Sequence, residues 1–295
     1  MLRLIRNFFY SEKVLEVVTP SLRLNGSSES HLDNISVGNR GYLQTSPEYG
    51  MKCLLVEHQC SMFQICAAFR AGETGRLHQE EFQILEWYRC EYSLPDLMED
   101  FEALLAYLTQ RLEVFGIQRI SQIVDRFSYQ ELFEKYYGIN PHSIELGELV
   151  SRIDAEYIDH LNETSLLSDY LDAAFSSLIQ PNLLAPTIVY DYPKAQAALA
   201  EVKELSTGDS VSDRFEFYLA GVEIANAYQE LRDRKELELR FSLNNEQRKM
   251  NGKPLIEDDL ELLSAIDRLP KCAGIAMGID RLIMVLRGIE NITEV

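Results

Sequence analysis

The spacing of apolar positions changes character along the chain. A short helix is expected at the start, from Leu2 to Lys13, and runs of strand character follow through residue 92. The clearest is Phe82 to Glu91, where Phe82, Ile84, Glu86 and Tyr88 share one face and Gln83, Leu85, Trp87 and Arg89 the other. From Leu94 to about Gln180, leucines recur at helical spacing, as in Leu94, Leu97, Met98, Phe101 and then Leu104, Leu105, Leu108. Strand character returns at Thr187 to Tyr190 and Arg214 to Leu219. Helices are read at Asp233 to Arg248 and Asp258 to Ile266, and Cys272 to Gly278 leads into a last helix from Ile279. Strands adjacent at the beginning, with helices inserted before the sheet is completed, predict an α+β fold: an antiparallel sheet flanked by helices, with a mostly helical insertion over 94–180. No repeat, low-complexity tract or linker breaks the chain, so one domain over 1–295 is expected.

With 46% hydrophobic and 25% charged side chains, the chain has enough apolar surface for a sizeable core. Arg3 and Arg6 are followed by Asn7, Ser11 and Glu12 rather than a signal-type apolar run, and no segment reaches membrane-spanning length, which points to the cytoplasm. The five cysteines, Cys53, Cys60, Cys66, Cys90 and Cys272, are odd in number and lack C-x-x-C spacing, so reduced, buried thiols are expected. A formal charge of −19 disfavours nonspecific nucleic-acid binding, which depends on phosphate neutralisation. It leaves room for a small anion held by a few cations and a divalent metal.

Several segments carry candidate chemistry. Arg70 closes one strand-like run and is followed by Glu73, Arg76 and His78 before the next; a guanidinium there can grip a phosphate bidentately, or be an ordinary hairpin arginine. In Gly274 to Met284, small residues at 274, 276 and 278 leave one strand face open, and Arg281 falls in the first turn of a helix, where a cation calls for an anion. In Gly221 to Leu231, the acids Glu223 and Glu230 and the amide of Asn226 interrupt an apolar run and imply a cationic partner. Their spacing suits a helical face while the preceding Phe215, Phe217, Leu219 alternation suits a strand, and periodicity does not decide between them. At Thr45-Ser46-Pro47-Glu48, Ser46 is read as a cap, Pro47 as the first helical residue and Glu48 as a first-turn acid, in a helix running to about Glu57. Leu15 to Thr19 reads as a strand stopped by Pro20.

In this order the segments resemble the three signature motifs of class II aminoacyl-tRNA synthetases of the lysyl type. The first helix with Val17, Val18, Thr19 and Pro20 is similar to motif 1, the dimer element; Phe69-Arg70 through Tyr88 to motif 2; and Gly274 to Met284 to motif 3. Thr45 to Glu48, Glu86-Trp87-Tyr88, and Glu223-Ile224-Ala225-Asn226 with Glu230-Leu231 indicate the lysyl subgroup. Motif 1 begins at the first residues, so no preceding anticodon-binding domain is expected. The likeness is greatest to the elongation factor P lysine ligases, through Asp191-Tyr192-Pro193 with Gln196-Ala197 and through Ala276, where lysyl synthetases usually carry glycine.

The resemblance implies ATP-dependent activation of (R)-β-lysine or lysine as its adenylate, and transfer to the ε-amino group of a lysine on elongation factor P, by a homodimer that does not bind tRNA stably. It implies that Arg70 takes the α-phosphate and Arg281 the γ-phosphate. Glu73, Gln79, Ile224 and Gly278 would lie along the nucleotide. Ser46 and Glu48 would face the α- or β-amino end of the substrate, Tyr88 and Glu230 its ε-ammonium, and Asn226 its carboxylate, with Ala276 shaping the pocket. Glu223, with Glu230, would hold Mg²⁺. Motif 2 departs from the family pattern: Gly72 stands where glutamate usually follows the arginine, with Glu73 one place further on, and Gln79-Glu80 replaces Asn-Pro. Two other readings remain at this level: a lysyl-adenylate-forming domain that charges tRNA or a small molecule, and a noncatalytic amino-acid-binding regulator.

Overall fold

A computed structural model describes residues 1–112 and 123–295, which fall into two compact units. One contains both ends of the chain; the other lies between them and ends at Gln229. The helical expectation for residues 113–122 lies outside the described residues.

The first stretch comprises α1 (Leu2–Ser11), β1 (Leu15–Glu16), β2 (Leu22–Arg23), β3 (Tyr42–Leu43), α2 (Glu48–His58), β4 (Met62–Phe69), β5 (Glu81–Cys90) and α3 (Leu94–Leu112). The helix α1 forms because Ile5, Phe8 and Phe9 fall on one buried face. It stops short of the expected Lys13 because that residue takes a positive φ of 58°. Likewise β5 ends at Cys90, before the expected Glu91, whose φ is 64°. The second unit holds β6 (Asp125–Ser128), α4 (Tyr129–Tyr137), α5 (Leu146–Arg152), α6 (Ala155–Ile158), α7 (Leu167–Ala174), β7 (Thr187–Pro193), β8 (Val202–Glu204), β9 (Ser210–Leu219) and β10 (Val222–Gln229). A short strand, β6, therefore interrupts the stretch read as helical. The chain then returns to the first unit with α8 (Arg234–Met250), α9 (Leu260–Ala265), β11 (Cys272–Gly278) and α10 (Ile279–Arg287).

In the first unit β4, β5 and β11 run antiparallel in that order, with β1 parallel on the outer side of β4. Behind them Phe9 stacks on Phe63 at 4.6 Å and Trp87 on Phe101 at 6.3 Å. Trp87 also donates from Nε1 to Asp100 Oδ2 at 2.9 Å, so the ring's polar edge is satisfied in the core. In the second unit β10 pairs antiparallel with β9 and β9 with β7, while β6 is parallel to β7. Its core gathers Tyr129, Phe133, Phe175, Tyr192 and Tyr218. The architecture is thus α+β with mostly antiparallel strands, as the pattern predicts. All five cysteines are thiols, but only Cys272 is fully buried. Among the described residues no helix is long and apolar enough to cross a membrane.

Candidate active site

The register of β5 against β11 creates the space for a pocket. Tyr88 faces Gly274 across the ladder and Glu86 faces Ala276. A Cβ built on Gly274 would lie 2.3 Å from Glu230 Oε1 and 2.4 Å from the Tyr88 ring, so the bare backbone there lets both side chains approach. Glu230 is held alongside by its own N–H, which donates to the Cys272 carbonyl at 3.1 Å.

Around this opening the polar side chains form a linked ring. Tyr88 donates from its hydroxyl to Glu86 Oε1 at 2.5 Å, and Ser46 Oγ donates to Glu86 Oε2 at 2.5 Å. The Ser46 hydroxyl in turn accepts the Glu48 N–H at 3.1 Å. Pro47, and not Ser46, occupies the cap position, and the helix begins at Glu48; the expected start is one residue early because Ser46 Oγ serves Glu86 as well as the turn. The ring closes through Lys52, whose Nζ lies 2.6 Å from Glu48 Oε1 and 2.7 Å from Glu230 Oε2.

The charges follow from this geometry. Burial, reinforced by the Glu48 charge, pushes the Glu86 carboxyl up to about 8, against the opposing hydrogen bonds from Ser46 and Tyr88. Burial also holds the Tyr88 hydroxyl well above its usual range, and Glu86, Glu48 and Glu230 add to it, so Tyr88 remains a donor. Lys52 is 1% exposed; burial alone would favour its neutral form, but Glu230 and Glu48 reverse that and keep it an ammonium. At neutral pH the site is therefore two carboxylates on one internal cation, beside a protonated acid.

A second cluster of the same unit lies at the other end of β5. The Arg70 guanidinium sits over the Phe82 ring at 5.1 Å and 3.6 Å from Glu73 Oε1. Arg281, in the first turn of α10, donates from Nε to the Leu77 carbonyl at 3.2 Å. The preceding Asp280 takes the Gln83 N–H at 2.7 Å. His78 lies between the arginines in an electrostatic sense: burial first, then Arg281 and Arg70, lower its pKa, with Glu73 opposing. The intervening loop is pinned at Gly72, whose N–H donates to Glu80 Oε1 at 2.8 Å with φ at 74°. Gln79 donates to the Ile292 carbonyl at 2.8 Å, and Gly278 has only the aliphatic stem of Arg281 near its open face, at 3.7 Å.

Glu223, Ile224 and Asn226 belong to the second unit, and there the structure decides what periodicity left open. They lie on strand β10, not on a helix. A bulge between Glu223 and Ala225 inserts Ile224, so that Glu223 stands opposite Tyr218 and Asn226 opposite Glu216. Without the bulge Glu223 and Asn226, an odd number of residues apart, would point to opposite faces; with it they share one. Glu216 accepts from the Tyr192 hydroxyl at 2.8 Å and also meets Arg214 and Tyr218. Burial raises its carboxyl pKa, Arg214 opposes, and Glu223 raises it further, as expected of two acids sharing a face. Among the described residues no group of three or more His, Cys, Asp or Glu is arranged for a metal.

Of the expected residues, Ser46, Glu48, Tyr88, Glu230 and Ala276 converge on one pocket, and Arg70, Glu73, Gln79, Gly278 and Arg281 line the neighbouring part of the unit. Lys52, Glu86 and Glu216 escaped the sequence reading as individual site residues. Signals existed: Lys52 is one helical turn after Glu48, and Glu86 shares a strand face with Tyr88.

Comparison with known proteins agrees with this geometry. A family model described as tRNA synthetases class II (D, K and N) matches residues 1–295. The chain is 38% identical over 303 residues to a protein of Histophilus somni (strain 2336) named elongation factor P–(R)-β-lysine ligase, covering 99% of this chain and 90% of the relative. Proteins of the same name from Mannheimia succiniciproducens and Proteus mirabilis are 36% and 37% identical, covering 100% and 99% of this chain and 91% and 90% of theirs.

Proposed function

This chain belongs to the family of class II tRNA synthetases of the D, K and N type, and from that membership we propose that it is a ligase that activates (R)-β-lysine, or lysine, with ATP and passes it to the ε-amino group of a lysine on elongation factor P. The observation that carries this reading is the ring of Glu48, Lys52, Glu230, Tyr88 and Glu86, a buried set of acids built to receive amines. The names of the similar proteins support the same acceptor and the same amino acid.

In the activation step a substrate carboxylate oxygen bonds to the α-phosphorus of ATP as the bond to pyrophosphate breaks. No general base is required, because the nucleophile is already ionised, and the protein's task is positioning and charge stabilisation. Arg70, steadied by Phe82 and Glu73, would take the α-phosphate, and Arg281 the γ-phosphate at the positive end of α10. Asn226 would orient the carboxylate. Mg²⁺, when bound, would neutralise the phosphate oxygens. Glu223 would hold it, with phosphate and water completing the set, since Mg²⁺ needs only one or two carboxylates; Glu216 is already engaged by Arg214, Tyr192 and Tyr218. Glu230, expected beside Glu223 as a metal ligand, is committed to Lys52 instead, which fits an amine pocket better than a metal site. In the second step the acceptor amine attacks the adenylate carbonyl, AMP departs with the bonding pair, and the amine loses its proton.

A homodimer is supported by the exposure of apolar side chains around motif 1, where Val18 is 87% and Leu24 84% exposed. The test of the acceptor is to incubate the purified chain with ATP, Mg²⁺, (R)-β-lysine and elongation factor P. The factor should gain the mass of one β-lysyl residue; an unmodified factor alongside efficient charging of tRNA would overturn the assignment.

A further inference from the structure

Arg248, in the last turn of α8, is 2% exposed and belongs to neither cluster described above. An arginine is seldom buried so completely unless its donors are met, because the guanidinium keeps its charge. Here they are met by backbone. Nε donates to the Pro254 carbonyl at 2.7 Å, and one terminal nitrogen donates to the carbonyls of Glu29 and Leu32 at 2.9 and 2.8 Å. An Asp33 carboxylate oxygen lies 3.9 Å from the other terminal nitrogen. Lys253, whose N–H returns to the Arg248 carbonyl at 2.8 Å, reaches both Asp33 carboxylate oxygens, at 3.1 and 3.2 Å. The segment gathered in this way ends against Arg70. The Asp33 carbonyl accepts the Ala71 N–H at 2.8 Å, while the Arg70 N–H donates to the Glu80 carbonyl at 2.9 Å. The backbone on either side of the Arg70 side chain is therefore held from two directions, one of them the segment that Arg248 gathers. All of these residues lie in the first unit.

We infer that Arg248 is a positioning residue for nucleotide binding: by gathering the backbone of 29–33 it fixes the Asp33 carbonyl, and through it the point from which Arg70 reaches a phosphate. This rests on the nucleotide role proposed for Arg70. Truncating Arg248 would remove the donor that the Glu29, Leu32 and Pro254 carbonyls share, and the segment would shift to find others. A lysine there keeps the charge but presents a compact ammonium on a flexible stem in place of a planar fork, so it cannot serve three carbonyls in the same directions. The displacement needed is small, since a misplacement on the order of 1 Å can cost a positioned group about 100-fold in rate. The contact passes to Ala71 and Arg70, so the effect of Arg248 should fall on ATP.

The experiment is titration calorimetry of Mg·ATP, and separately of lysine, on the full chain, Arg248→Lys, Arg70→Lys and the double variant, with thermal unfolding measured beside it. Arg70→Lys keeps a cation for the phosphate. Arg248→Lys should weaken ATP about 10-fold, the scale of a hydrogen bond to a charged group, and change lysine affinity by less than about 3-fold. In the Arg70→Lys background the same change should weaken ATP by less than about 3-fold further, because its effect passes through Arg70. A merely structural Arg248 would lower the unfolding temperature and leave the two ATP losses additive. Additive losses, unchanged ATP affinity in Arg248→Lys, or equal losses for ATP and lysine would overturn the inference. Should Arg248→Lys fail to fold, Lys253→Met decides, since it removes the ion pair that steadies Asp33. A several-fold weakening of ATP that vanishes in the Arg70→Lys background then supports the inference, and unchanged ATP affinity or a uniform loss refutes it. A chain that binds ATP in this Arg248-dependent way but catalyses no pyrophosphate exchange contradicts the proposed function and leaves this inference standing. One that binds no ATP refutes both.

Discussion

The Glu230 carboxylate and the Tyr88 ring meet over the same bare backbone, within 2.3 and 2.4 Å of where Gly274 would carry a Cβ. Neither contact can be relieved by a small shift, because Tyr88 is tied to Glu86 and Glu230 to Lys52. Gly274→Ala should therefore displace one of the two and weaken amino-acid binding by about 10- to 100-fold, in line with the 1–3 kcal/mol typical of overpacking. The KM for ATP should stay within about 2-fold, since the arginine cluster is separate from this contact. Steady-state kinetics with each substrate varied in turn checks both halves.

Glu86 gives the protein a pH signature. Its carboxyl rises from its ordinary value of about 4.5 to about 8, so between those limits the folded chain holds a proton that the unfolded chain has released. That contribution to stability is full below about pH 4.5 and is lost as pH rises through 8, at up to about 1.4 kcal/mol per pH unit. Glu86→Gln should flatten this part of a stability-versus-pH curve. A cationic substrate favours the ionised form, so binding near pH 7 should release about one proton, and affinity should rise up to about tenfold per pH unit until it levels near pH 8. Calorimetry in buffers of different ionisation enthalpy counts the proton; none released would contradict the assignment.

The loop after Arg70 is held open by Gly72, whose φ of 74° lets its N–H reach Glu80. Gly72→Ala should cost about 1–2 kcal/mol in that conformation and raise the KM for ATP about 5- to 30-fold, leaving the amino-acid KM unchanged. Glu80→Ala, which removes the acceptor, should move the same constant in the same direction. A shift confined to the amino-acid KM would place this loop away from the nucleotide.

Glu223 and Asn226 share a face only because Ile224 is bulged. If Glu223 holds Mg²⁺, Glu223→Gln should raise the Mg²⁺ concentration needed for half-maximal exchange by about 10-fold or more, the scale on which ligand-shell changes act. Excess Mg²⁺ should restore part of the rate. A loss of rate with unchanged Mg²⁺ dependence would assign Glu223 to another role.

Much of this was legible in the sequence, and the parts that were not share a physical cause. Strand β5 announced itself because Phe82, Ile84, Glu86 and Tyr88 alternate over a full strand length, and α3 because its leucines keep helical spacing over five turns. Strand β10 did not, because a bulge shifts Glu223 and Asn226 onto one face and imitates a helical spacing. Lys52 was hidden for a different reason. On a helix a lysine four residues after a glutamate reads as an ordinary surface pair, and only the return of the chain at Glu230 buries it. The strand Asp125–Ser128, four residues long, is too short to stand out among helices.

The central claim is that this pocket selects a diamino acid for adenylation. Its most direct test is amino-acid-dependent ATP–pyrophosphate exchange by the purified chain with (R)-β-lysine, lysine and norleucine side by side. Exchange should be driven by one or both diamino acids and be at least about 100-fold weaker with norleucine, the discrimination expected when buried polar groups are left without their partner. Exchange driven equally well by norleucine, or no exchange with any of the three, would contradict it.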